Sequence, residues 1–152
     1  MLYHQNLSLW VKNSIIDLVA GIDPDSFWDK RVQGNSPGWT LGHLIVENDL
    51  MLEKLGGAST GFLREQRDQF GFGSSGIVAS THDKALMIEQ FSTSQALLSQ
   101  FIADRFQDLS RQAVENHPMG SEFQVELDEY LHLEVSHPAM HLALLQRWLK
   151  AA

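Results

Sequence analysis

Apolar residues recur at three- and four-residue steps through most of this chain, a period that predicts helices and not strands. Leu7, Trp10, Val11, Ile15, Leu18, Val19 and Ile22 trace a first amphipathic helix that ends near Gly21. Leu41, Leu44, Ile45, Leu52 and Leu55 trace a second. Ser36-Pro37 starts it, the serine as cap and the proline where an N–H would be unsatisfied anyway, and Gly56-Gly57 stops it. Met87, Ile88, Phe91, Leu98, Ile102 and Phe106 trace a third, opened by the capping run Ser80-Thr81-His82-Asp83. A fourth runs from about Val125 to Lys150. Between the first two, Asp23-Pro24-Asp25-Ser26-Phe27-Trp28 reads as a short capped turn whose aromatic pair plugs one end of the molecule. With no alternating strand pattern and no internal repeat, residues 1–152 are expected to form a single all-α domain. Its expected architecture is a four-helix bundle of up-down type, with a long Gly-rich connection between helices two and three.

That connection, residues 56–80, holds six of the eleven glycines and is expected to be partly mobile. Gly71-Phe72-Gly73-Ser74-Ser75-Gly76 is a literal G-x-G-x-x-G, but a dinucleotide site needs a preceding strand and a βαβ unit, and the pattern offers neither. A loop that Phe62, Phe70 and Phe72 fold back over a pocket is the better reading. His117-Pro118-Met119-Gly120-Ser121 reads as a turn.

Composition narrows the partners. A chain of 152 residues can bury roughly 70% of the surface it exposes when unfolded, so its core does not require a metal or a disulfide. Cysteine is absent, which excludes thiolate metal sites and cysteine nucleophiles and is compatible with a cytoplasmic location. The formal net charge of −8 argues against nucleic acid, whose phosphates call for a basic footprint. No apolar run is long enough for a membrane span, and the N-terminus lacks the pattern of a signal peptide. A small-molecule ligand or substrate remains, with a homodimer as an expectation that the sequence leaves open.

The chemistry concentrates in Glu134-Val135-Ser136-His137-Pro138-Ala139-Met140-His141. At ~100° per residue, Tyr130, Glu134, His137, His141, Leu144 and Trp148 fall within a band of roughly 80°, so two imidazoles four residues apart lie on the stripe that faces a core. Such a pair supplies two ligands to Zn, Ni, Cu or Fe from one rigid element, although with seven histidines the spacing alone is weak evidence. His43, in Trp39-Thr40-Leu41-Gly42-His43-Leu44, is the natural third ligand, being the other histidine inside a strongly apolar run. It lies more than roughly 90° round the helix from the middle of its stripe, which fits a ligand only if that helix is buried on two sides. Gly42 beside it points to a close helix approach. Pro138 either kinks the fourth helix or makes it restart near His137. His4, His117 and His132 read as surface or loop residues, and no ligand spacing includes His82.

Trp39-Thr40-Leu41-Gly42-His43-Leu44 and His137-x3-His141 resemble the two histidine motifs of the DinB/YfiT-like superfamily, on its second and fourth helices, and the helix order is similar over nearly the whole chain. The chain departs from the family in lacking the Gly-Gln that often follows the last histidine, having Leu142-Ala143-Leu144 instead, and in carrying Pro138. The resemblance implies a four-helix bundle in which His43, His137 and His141 hold a divalent metal ion such as Zn, Ni or Fe. It also implies activities that include thiol-dependent S-transfer and isomerisation with a low-molecular-weight thiol as cofactor. A three-histidine site leaves a position open, as catalytic sites do. Glu134 and Glu47, each about one turn from a histidine, are candidates for orienting an imidazole or moving a proton, against the plainer reading of solvated helix charges. A metal-dependent thiol transferase thus stands against a metal-dependent hydrolase and a non-enzymatic bundle that acts by interaction in stress tolerance.

Overall fold

The computed structural model describes residues 2–31, 35–76, 82–109 and 127–151. They are all-α: α1 (Leu2–Ala20), α2 (Pro37–Lys54), the short α3 (Arg67–Phe70), α4 (Lys84–Leu109) and α5 (Leu127–Lys150), with 3-10 turns at Pro24–Ser26 and Arg64–Gln66. No β-strand occurs among the described residues, and no helix there is long and apolar enough to cross a membrane. The Ser80-Thr81 part of the capping run, the turn at His117 and the start of the last helix near Val125 lie outside them.

The local signals act as their chemistry requires. Asp23 accepts from the Asp25 amide at 2.8 Å, and Pro24 opens the turn that seats Phe27 in the core. Ser36 Oγ accepts from the Trp39 amide at 3.1 Å, with Pro37 at the first position of α2. At the other end Gly56 adopts φ 80°, the left-handed conformation that closes a helix without strain when no Cβ is present. Asp83, the last residue of its capping run, accepts from the amides of Ala85 and Leu86 and so caps α4. α5 continues through Pro138 instead of restarting.

Packing corrects the outline in three places. The buried stripe of α1 is Ser8, Val11, Ile15 and Val19, which turns Trp10 out to 60% exposure in spite of its size. α2 packs against both α4 and α5, with α3 laid across it, and every residue from Ser36 to Asp49 is buried. A single apolar stripe therefore understates this helix, whose polar residues His43, Glu47, Asn48 and Asp49 are as covered as its leucines. Finally, the glycine-rich connection has structure of its own between Gly57 and Gly76. Asp49 accepts from the amides of Thr60 and Gly61 and from the Thr60 hydroxyl, anchoring its start to α2. Phe70 then buries its ring completely in the core that α1, α2, α4 and α5 share. The fit is tight: a Cβ at Gly42 would stand 2.3 Å from the Phe70 ring. The close approach marked by Gly42 is thus that of an aromatic side chain and not of another long helix.

Candidate metal centre

The three expected histidines meet. His43 from α2 and His137 and His141 from α5 bring one ring nitrogen each to within 4.8 Å of one another. Continuous helix through Pro138 keeps the two α5 imidazoles one turn apart on one face, and the all-round burial of α2 lets His43 reach them although it lies off the leucine stripe.

Their proton arrangement restricts what lies between them. His43 Nδ1 is 2.7 Å from the carbonyl oxygen of Phe70 and donates its proton there. A neutral His43 therefore presents only a lone pair at Nε2. That atom is 3.2 Å from His137 Nε2, which is in turn 3.1 Å from His141 Nε2. If neutral His137 carries its proton on Nε2, His43 and His141 must share it. If it carries the proton on Nδ1, the His43 and His137 lone pairs face each other. A cation where the lone pairs converge removes the conflict. Two of the three separations, 3.1 and 3.2 Å, match those of ligands on one ion: at metal–nitrogen bonds of ~2.05 Å, adjacent ligand nitrogens stand roughly 2.9 Å apart at right angles and roughly 3.4 Å apart at tetrahedral corners.

Electrostatics keeps the imidazoles of His43 and His141 in the neutral form that ligates. Burial lowers the pKa of His43, with the hydrogen bond to Phe70 opposing it. Burial, followed by the proximity of His137 and His43, pushes His141 down to about 3. Trp39 stacks on His43 with ring centroids 4.8 Å apart and an interplanar angle of 7°. The indole N–H of Trp39 reaches Gln69 O and Ser74 Oγ, tying α3 and the residues after it to the same helix.

A cavity of about 250 Å³ opens beside the three rings. Trp39, Met51, Leu133 and Met140 give it apolar walls, Phe72 and Gly73 of the glycine-rich run close one side, and Glu47 adds a carboxyl group. Burial raises Glu47 to about 7, with Lys54 opposing the shift. Its Oε1 is 3.9 Å from His43 Nδ1, beyond hydrogen-bond reach, so the Phe70 carbonyl is what orients that imidazole. This carbonyl is the contact that sequence reasoning missed; Gly42 signalled the approach but not the atom that makes it.

Glu134 is placed elsewhere. Its carboxylate turns toward α1 and α4, where it accepts from Ser8 Oγ at 2.8 Å, from Ser99 Oγ, and from His4 Nε2 at 2.5 Å. The imidazole it orients is that of His4, a residue read as surface from the sequence but held here in a buried polar cluster. His82 contacts the Gln66 side chain at 2.8 Å and His132 is exposed, so neither joins the three.

None of the curated proteins compared with the chain matches it. The family model of the DinB superfamily matches residues 10–145, a span that includes all three clustered histidines. A match over most of the chain, on an all-α structure that brings these histidines together, makes this protein a member of the DinB superfamily.

Proposed function

We propose that His43, His137 and His141 hold a divalent metal ion, Zn, Ni or Fe, with at least one coordination position open, and that the protein is a metal-dependent enzyme transferring a low-molecular-weight thiol to an electrophile. The observation that carries the reading is the convergence of three ring nitrogens to within 4.8 Å of one another, two pairs of them 3.1 and 3.2 Å apart. Neutral imidazoles are ligands these ions favour. The surrounding architecture is taken as a four-helix bundle of up-down type formed by α1, α2, α4 and α5, a reading supported by the packing of α1 and of α2 against both α4 and α5.

When bound, such an ion supplies Lewis acidity, which favours the ionised form of a thiol or a water at neutral pH. The chain's own groups do the rest. The Phe70 carbonyl fixes the His43 tautomer, so that Nε2 keeps its lone pair. Trp39 covers one face of that ring, and the apolar wall limits water beside it. Glu47, held near 7, can release or take up a proton at Oε1 within the cavity at physiological pH. Because the sequence has no cysteine, a thiol reaction must import its sulfur. Glu47 also favours a second reading, metal-dependent hydrolysis, in which a carboxyl of this acidity serves as the base for water.

The test is elemental analysis of protein prepared without a nickel column. Alanine at His43, His137 or His141 is expected to remove bound metal, whereas His82→Ala and His132→Ala are expected to retain it. Equal loss in all five variants would mean non-specific binding. Conjugation of an electrophilic probe to a thiol panel, with loaded, chelated and His141→Ala protein compared, separates transfer from hydrolysis.

A further inference from the structure

We propose that the cavity beside the three histidines selects a small, uncharged, apolar molecule of about eight non-hydrogen atoms, which lies across Phe72 and Met140 with a donor atom toward the histidines. Only the placement of the donor atom rests on the metal reading; the selection for apolar, uncharged ligands rests on the cavity itself.

Three observations converge. The first is size: at a share of ~30 Å³ per water-sized group, the cavity of about 250 Å³ admits roughly eight such groups. The second is charge. Among the described residues of the wall there is no lysine or arginine, and Glu47 is the single acid. A carboxylate-rich thiol such as glutathione would give up hydration there without meeting a lysine or arginine among the described residues of the wall, on a chain whose formal net charge is already −8. The third is the rim. Phe72 is 66% exposed and Met140 52% exposed, yet both belong to the cavity lining, so the apolar surface of Trp39, Met51 and Leu133 continues outward to solvent. Exposed apolar side chains joined to a concave apolar wall mark a ligand surface.

The experiment uses full-length protein in two parallel titrations. Cobalt-loaded protein receives ethanethiol, 1-butanethiol, 1-hexanethiol and glutathione, read by the visible absorption of the metal. Metal-free protein receives ethanol, 1-butanol, 1-hexanol and hexanoate, read by tryptophan fluorescence, with Trp39→Phe identifying the reporting residue. Affinity is expected to tighten by about fourfold for each methylene the cavity covers. Glutathione should bind more weakly than 1-butanethiol, and hexanoate more weakly than 1-hexanol. Phe72→Asp and Met140→Asp alter residues that are more than half exposed and so leave the core intact. Each should weaken the hexyl ligands by about tenfold while moving the ethyl ligands by less than about twofold. Affinities that stay flat along both series, or charged ligands that match the hexyl ones, would overturn the proposal. Failure of cobalt to bind would instead remove the metal reading, and the alcohol series in metal-free protein would then decide the cavity's selectivity by itself.

Discussion

Glu134 and His141 lie two turns apart on α5 and are almost equally buried, at 1% and 5% exposure, but their surroundings complete them in opposite ways. Around Glu134 the two carboxylate oxygens collect three donors, from His4, Ser8 and Ser99, drawn from α1 and α4. Around His141 three ring nitrogens from α2 and α5 converge to within 4.8 Å of one another. Buried polar groups are costly unless partnered, so the carboxylate of the first cluster reads as a structural anchor between helices, and the second cluster as a group of nitrogens that could hold a metal ion. Burial marks both; the chemistry of the converging groups separates them.

Titration should test the histidine cluster most strongly. In metal-free protein His141 has a pKa pushed down to about 3 from an ordinary 6.5. Between those values the unfolded chain takes up a proton that the folded one refuses. This contribution is therefore whole above 6.5 and is lost as pH falls toward about 3, a change on the order of a few kcal/mol. Glu47 runs the other way, because its folded pKa near 7 lies above the ordinary 4.5. Its contribution is whole below 4.5 and is lost as pH rises through about 7. Urea melts across pH are expected to show a flatter acid limb in His141→Gln, and in Glu47→Gln a gain over wild type at pH 8 that disappears at pH 4. Unchanged pH profiles would mean that the cavity groups are solvated.

Glu134→Ala probes the first cluster. Removing the acceptor strands the His4, Ser8 and Ser99 donors, for a loss of ~1–3 kcal/mol in chemical denaturation. Metal affinity should change by less than about threefold, since the Glu134 carboxylate is directed to His4, Ser8 and Ser99 on α1 and α4. A large loss of metal would show that the two clusters are one network. This variant and His141→Ala should therefore exchange phenotypes, one losing stability and the other losing metal.

Gly42→Ala gives the finest test, because it reaches the histidine cluster only through its support. The new Cβ would stand 2.3 Å from a fully buried Phe70 ring, so the ring and its carbonyl must shift. Overpacking of this kind costs ~1 kcal/mol or more. Displacing the oxygen that orients His43 is expected to weaken metal binding by about tenfold, the lower end for loss of such a contact. Gly56→Ala is the control: its φ of 80° makes alanine strained, but nothing lies within 4 Å, so stability should fall while metal affinity holds. Equal effects of the two substitutions on metal affinity would dismiss the Phe70 carbonyl as a positioning group.

The sequence by itself determined the four long helices and two of the three approaches to the site. Caps and stops such as Ser36-Pro37 and Gly56 act within one or two turns, and the step from His137 to His141 follows from helical pitch alone, so both are legible in the order of residues. What the other side of a helix meets is not local information. α2 is covered all round because α3, α4 and α5 close on it, and only that enclosure makes His43 an inward residue. The direction of Glu134 was equally undetermined: helical periodicity placed it on the same broad face as His137, but serines on α1 and α4 and the ring of His4 drew its carboxylate away. The Phe70 carbonyl is a backbone atom, which any residue supplies, and its position depends on how a short helix seats an aromatic ring against Gly42. Pitch and capping are short-range and written in neighbouring residues. Enclosure and hydrogen-bond partnership join residues as far apart as His43 and His137, and only the tertiary structure decides them.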